Sequence, residues 1–123
     1  MRVAIPLFHS RVSPHFGYAQ EMLVATKAEE GDWVREKIAC GHMSPMQKMS
    51  LLSHLRINTL ICGGIHGNLL RYLECQEGIQ VMVGIMGEAE DALRLFAHGR
   101  LTPGAVVPGR CHRHRCRLGP HWL

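Results

Sequence analysis

Residues 58–67, N-T-L-I-C-G-G-I-H-G, decide how this chain folds. Thr59, Leu60, Ile61 and Cys62 form a short apolar run that stops at Gly63-Gly64, and a pattern of Leu69, Leu70 and Leu73 with polar residues between begins directly afterwards. Strand, glycine loop and helix is the physical reading. A strand that is apolar on both faces is rewarded only where helices cover both sides of its sheet, which makes this one central. Cys62 and His66 then stand at the C-terminal end of the strand, beside a helix N-terminus whose free N–H groups and dipole favour an anion. Open α/β sheets take their ligands at that edge. The alternative is that the glycines serve only a tight turn and close helix packing.

Working outward, a helix is expected from His66 to Cys75, stopped by Gly78, and a strand over 79–83. The unit is β-α-β, for which parallel strands and a right-handed crossover are expected. After the loop Gly84 to Gly87, Glu88 to His98 reads as a helix with acids in its first turn, a Glu90–Arg94 pair, and a buried face of Ala89, Ala92, Leu93, Phe96 and Ala97. On the other side, Ser44-Pro45-Met46-Gln47 is a complete helix start, with Ser44 as N-cap, Pro45 in the first turn and Gln47 closing a capping box. That helix is expected to reach Leu55, with Met46, Met49, Leu52 and Leu55 toward the sheet and Gln47, Lys48 and Arg56 toward solvent. Gln20 to Thr26 and Trp33 to Ile38 read as a hairpin, Met22 and Val24 facing one side and Leu23 and Ala25 the other. Arg2 to Phe8 is a strand in which Pro6 must lie where no neighbour needs its N–H. The loop His9 to Gly17, H-S-R-V-S-P-H-F-G, follows it.

The charge is unevenly placed. Residues 1–100 carry ten basic and ten acidic side chains, whereas 101–123 add Arg110, Arg113, Arg115 and Arg117 and no acid. The division is a balanced α/β domain, 1–100, and a basic Cys/His-rich extension, 101–123. The extension lacks aromatic residues interleaved with its arginines, which weighs against direct nucleic-acid binding. No apolar run approaches the roughly 20 residues that span a bilayer, and the start M-R-V-A-I-P has no signal-peptide pattern, so a cytoplasmic protein without a membrane partner is expected. Five cysteines, an odd number spread widely, favour free thiols or soft-metal ligation over a disulfide framework.

Two groups of residues have ligand chemistry. The first is Cys111-His112-Arg113-His114-Arg115-Cys116, in which Cys111, His112, His114 and Cys116 suit zinc, copper(I) or iron-sulfur chemistry, although C-x4-C is less diagnostic than C-x2-C. The bland reading is a basic tail that binds metal adventitiously. The second is spread over the strand ends: His15, Cys40 with His42, and Cys62 with His66. If these ends converge, soft and imidazole ligands face amide-rich loops, which suits an anionic metal-sulfur cluster. Cys62 alone reads more simply as a small buried hydrophobe. No enzyme motif emerges: Gly63 to Gly67 lacks the Lys-Ser/Thr ending of a phosphate-binding loop, and no two acids form a general acid/base pair.

Four stretches, M-R-V-A-I-P at the start, R-V-S-P-H-F-G-Y-A at 11–19, T-L-I-C-G-G-I-H-G at 59–67 and G-I-Q-V-M-V-G at 78–84, resemble the dinitrogenase iron-molybdenum cofactor-binding and biosynthesis family, over roughly residues 1–100. The resemblance implies an α/β, ribonuclease-H-like three-layer fold with a central mixed five-stranded sheet and about three helices, the first three strands antiparallel. It implies non-enzymatic binding or carriage of an iron-sulfur or molybdenum-iron-sulfur cluster, with cofactor-assembly or cluster-accepting proteins as partners and zinc a candidate for the tail. His15 matches the family's S-P-H-F-G-like loop and is the leading ligand; Ser13, Phe16 and Gly17 shape that loop, and Gly63 and Gly64 match the later glycine signature and would present backbone N–H groups. His66 joins this cofactor-binding set from the residue chemistry. A competing reading is a cluster-free regulatory or interaction domain whose basic tail recruits a partner.

Overall fold

The structure, a computed structural model, describes residues 1–27 and 32–104. Its strands are β1 (Arg2–Phe8), β2 (Arg11–Val12), β3 (Glu21–Lys27), β4 (Trp33–Ala39), β5 (Thr59–Ile61) and β6 (Gln80–Met82), and its helices α1 (Pro45–His54), α2 (Gly67–Cys75) and α3 (Ala89–Ala97). They build a mixed α/β domain on one sheet of order β4-β3-β1-β5-β6, with the two-residue β2 added beside β1. β4, β3 and β1 are antiparallel; β1, β5 and β6 run parallel. β5 is therefore interior to the sheet, and Thr59, Leu60, Ile61 and Cys62 are all buried.

Alternation along the strands divides the core between the two faces. Val3, Ile5, Leu7, Leu23, Ala25 and Ile61 pack under α3 through Ala89, Ala92 and Leu93. Ala4, Met22, Val24, Leu60 and Cys62 pack under α1 and α2 through Met49, Leu52 and Leu73. Helices on both faces let a sheet with apolar residues on each side exclude water. Pro6 is accommodated inside β1 because parallel pairing with β5 covers only Val3 and Ala4. Its carbonyl, on the same edge as its ring nitrogen, accepts from Ser13 N–H at 2.8 Å.

The start of α1 is as expected. Gln47 N–H donates to the Ser44 hydroxyl at 3.2 Å and the Gln47 side chain accepts from Ser44 N–H at 2.8 Å. Two assignments on this helix change. Met46 is 60% exposed, and Lys48, expected in solvent, is 1% exposed. The reason lies in helical spacing: residue 48 shares a stripe with Leu52 and Leu55, whereas residue 46 lies off it. On α3, Glu90 does not pair with Arg94. It accepts from Arg35 Nε on β4 at 2.7 Å, and Arg94 pairs with Asp91 instead. Ala97 is exposed, so the buried face of α3 ends near Phe96.

Past α3 the chain returns to the sheet. Leu101 joins the α3-side core, and Gly104 N–H donates to Val83 O at 2.8 Å.

Candidate functional site

The C-terminal ends of the parallel strands β1, β5 and β6 bring three loops to one edge, those containing Ser13–Phe16, Cys62–His66 and Val83–Glu88. The first is shaped by Ser13, buried at 2% exposure, whose hydroxyl donates to His15 O at 2.9 Å and accepts from His15 N–H at 3.3 Å. Such a local turn closes the backbone on itself without using a strand ladder. Three backbone bonds then fasten this loop to the glycine loop: Gly63 N–H to Ser13 O (3.2 Å), Gly64 N–H to Pro14 O (2.8 Å) and Phe16 N–H to Gly64 O (2.8 Å). The third loop is fastened to the second by Gly84 N–H to Gly63 O (2.6 Å) and Ile85 N–H to Cys62 O (3.1 Å).

Glycine at 63 is what permits this closeness, since a Cβ there would stand 2.6 Å from Ser13 O and 2.9 Å from Pro14 Cα. The same bonds correct the expected role of the pair. Gly63 and Gly64 N–H groups are consumed inside the protein and are not presented to a ligand. Among the described residues, the next two backbone N–H groups of this loop, those of Ile65 and His66, have no protein acceptor, as is also the case for Met86, Gly87 and Glu88 in the third loop.

His15 sits on this brace with its backbone beside Gly64 and its side chain exposed. The buried ring of Phe16 anchors the following residue. Tyr18, 77% exposed, places its ring 4.9 Å from the imidazole centroid. Among the described residues, neither ring nitrogen of His15 has a hydrogen-bond partner. His66, also exposed, caps α2: its Nδ1 accepts from Asn68 N–H at 3.2 Å. That leaves the proton of the neutral ring on Nε2. Ligation of a metal through Nε2 would require the opposite tautomer and the loss of the cap.

The cysteines expected to join this set are placed otherwise. Cys40 and Cys62 are fully buried in the core under α1 and α2. Burial pushes the Cys62 thiol up to about 12. Burial also raises the Cys40 thiol, with Lys48 opposing and Glu21 adding to the effect. A metal ligand must be a thiolate, and these two are held as thiols. His42 lies in a shallow depression along α1 with Met43, Gln47, Ser50, Leu51 and His54, a surface that includes none of the His15 loop. Among the described residues no group of three or more His, Cys, Asp or Glu side chains is placed to hold a metal ion. Cys111, His112, His114 and Cys116 lie outside the described residues.

One contributor was missed. Lys48 reaches from α1 through the core and donates from Nζ to Gly17 O at 2.8 Å and Ala19 O at 3.0 Å. It thereby grips the short 3-10 turn Phe16–Tyr18 that follows His15. Cys40 Sγ lies 3.6 Å from the same Ala19 oxygen. The signal was available in the spacing of Lys48 from Leu52 and Leu55. The residue type argued against it, because lysine is rarely buried without partners.

Fold and edge together describe a small mixed α/β domain that presents the unengaged His15 imidazole and free backbone amides, those of Ile65 and His66 among them, on braced loops. The chain belongs to the dinitrogenase iron-molybdenum cofactor family, whose model matches residues 1–99. Among solved structures it is similar to the protein PH0822, at 24% identity and TM-score 0.75 over 84% of this chain and 94% of that one. A candidate dinitrogenase of Methanocaldococcus jannaschii is similar at 20% identity and TM-score 0.64, with 83% and 92% covered. A candidate NifB protein from Thermotoga, assigned to the DUF35 family, gives 24% identity and TM-score 0.61 with 89% and 97% covered. These likenesses carry the fold. A search of curated proteins finds no match. Among the described residues no helix is long and apolar enough to cross a membrane.

Proposed function

We propose that this domain binds and carries, without catalysing a reaction, an iron-sulfur or molybdenum-iron-sulfur cluster, and passes it to cofactor-assembly or cluster-accepting proteins. The observation that carries the reading is His15, an exposed imidazole with both nitrogens free, on a loop held at three backbone points to the glycine loop. Family membership supports the choice of cargo, since the family is that of the dinitrogenase iron-molybdenum cofactor. The imidazole offers one nitrogen ligand to a metal at the cluster surface. The Ile65 and His66 N–H groups can donate to sulfide or oxo groups beside it. A single protein ligand of this kind suits transfer better than storage, because exchange requires the release of few bonds. His66 contributes through its backbone amide and as the cap that orients α2.

Anaerobic expression with iron, sulfide and molybdate in excess, followed by metal and acid-labile sulfide analysis, tests this. Stoichiometric iron and sulfide are expected, and His15→Ala should lose them. Because His15 is exposed, that variant should stay within about 0.5 kcal/mol of the parent in stability. A folded protein that never takes up iron and sulfide would favour the cluster-free interaction domain.

A further inference from the structure

Tyr18 is the most exposed large apolar side chain among the described residues, at 77%, yet its backbone is held from both sides. Its N–H donates to His15 O at 3.2 Å and closes the 3-10 turn Phe16–Tyr18. Side chains three residues apart eclipse one another in such a turn, so this bond sets residue 18 over residue 15. The two ring centroids accordingly stand 4.9 Å apart, their planes tilted by 36°. That separation is an attractive one for a pair of aromatic rings. Lys48 Nζ then bonds Gly17 O and Ala19 O, the carbonyls on either side of Tyr18, while the buried Phe16 ring fixes the start of the turn.

A ring left this exposed gains little from burial, so the hydrophobic core does not account for the hold on it. What the turn secures is the place of the Tyr18 ring beside His15. The phenol O–H has no hydrogen-bond partner among the described residues, and neither has the imidazole. One residue therefore offers a lone pair to a metal, and its neighbour offers a donor to whatever ligands that metal already carries.

We propose that Tyr18 is the second side chain of the cargo site: its ring holds the His15 imidazole in one orientation, and its phenol O–H donates to an acceptor atom of the complex that His15 binds. The inference rests on the cargo reading above and adds a positioning and specificity residue to it. A metal complex that brings acceptor ligands of its own is favoured at such a site over a bare cation, which gives the phenol nothing to donate to.

Two measurements on the full-length chain separate the ring from the hydroxyl. The first is the NMR position of the His15 ring protons, assigned by their loss in His15→Ala. Tyr18→Phe should keep the ring-current shift of the parent, and Tyr18→Ala should return these protons to the positions of an unstacked histidine. The second uses pentacyanoaquaferrate(II), an anionic iron complex with one exchangeable position and cyanide nitrogens as acceptors, titrated while the same protons are followed. Tyr18→Phe should weaken its binding at His15 about fivefold, the worth of one net hydrogen bond. Tyr18→Ala should weaken it further, and binding at His54, exposed on α1, should be the same in all three chains. Ring protons unmoved in Tyr18→Ala, or equal affinity at His15 in the parent and Tyr18→Phe, would overturn the proposal. Because the probe brings its own iron, a chain that never loads a cluster can still pass this test and one that loads a cluster can fail it, so the two readings fail separately.

Discussion

At position 63 a methyl group has nowhere to go, while at position 67, four residues on, a Cβ would meet nothing within 4 Å. Gly63→Ala must push the Ser13–Pro14 backbone away and is expected to cost about 2–3 kcal/mol or more, as overpacking against backbone does. Gly67→Ala stands at the start of α2 and should be neutral or stabilising by a few tenths of a kcal/mol to about 1. Urea denaturation of the two variants side by side measures the difference. Both residues read alike in the sequence, as glycines of one loop. What separates them is the Ser13–Pro14 segment, brought in from 50 residues away. Cys62 yields a second expectation at this scale. Its thiol is raised to about 12 against an ordinary value of 9.0, so between those values the folded chain holds a proton that the unfolded chain has released. Stability from this group is complete below about pH 9 and falls as pH rises toward 12. Unfolding free energies measured across that range should decline in the parent and decline less steeply in Cys62→Ala. A slope unchanged by the substitution would contradict the assignment. The sequence reading of Cys62 as a small buried hydrophobe is the one the structure supports.

Among the elements, α1 shows how a legible start can hide a long-range contact to the candidate site. Ser44, Pro45 and Gln47 specify the first turn through bonds between neighbours, so their pattern can be read without knowing the fold. The task of Lys48 could not be read that way. Its partners are carbonyls of the turn after His15, 31 and 29 residues earlier. Lys48→Met keeps the apolar stem and removes its bonds to both carbonyls, leaving Gly17 O unpaired and Ala19 O with only the weak Cys40 thiol donor. A loss of about 2–3 kcal/mol in urea denaturation is expected for a charge-assisted pair of bonds. The amide signals of His15 to Ala19 should shift more than those of α3. Equal perturbation everywhere would deny Lys48 its specific hold on the turn. On α3 the same lesson appears in reverse. A Glu90–Arg94 spacing of four residues suits a helical pair, yet Arg35 on β4 takes the glutamate because the sheet places a second guanidinium within 2.7 Å. Both side chains are about half exposed, so that exchange of partners matters little to stability.

For the molecule as a whole, the segment that follows α3, residues 101–104, has a measurable consequence. A chain ending at Arg100 lacks the buried Leu101 side chain and the Gly104–Val83 bond. It should be less stable than a chain ending at Gly104 by about 2 kcal/mol, the value of one buried leucine with a small hydrogen-bond contribution. Comparing the two truncations by thermal and urea unfolding tests this, and equal stability would mean that the segment after α3 contributes nothing. Hydrophobic alternation in β1 and β3, the apolar run at 59–62, the capping box and the glycine stops are short-range patterns. From them the α/β class, three helices, the β3–β4 hairpin and the parallel β5-α2-β6 unit were legible, because each records a local burial or backbone preference, whereas the antiparallel place of β1 came only with the family resemblance. His15 was singled out as an imidazole at a strand end, and the family motif ranked it above the other candidates. The candidate edge was decided by tertiary structure. Backbone bonds between distant loops occupied the Gly63 and Gly64 amides and left those of Ile65 and His66 free. Packing enclosed Cys40 and Cys62 and drew Lys48 inward. Side-chain type states which chemistry a residue can perform, but whether its donor or lone pair remains available depends on what the rest of the fold places against it.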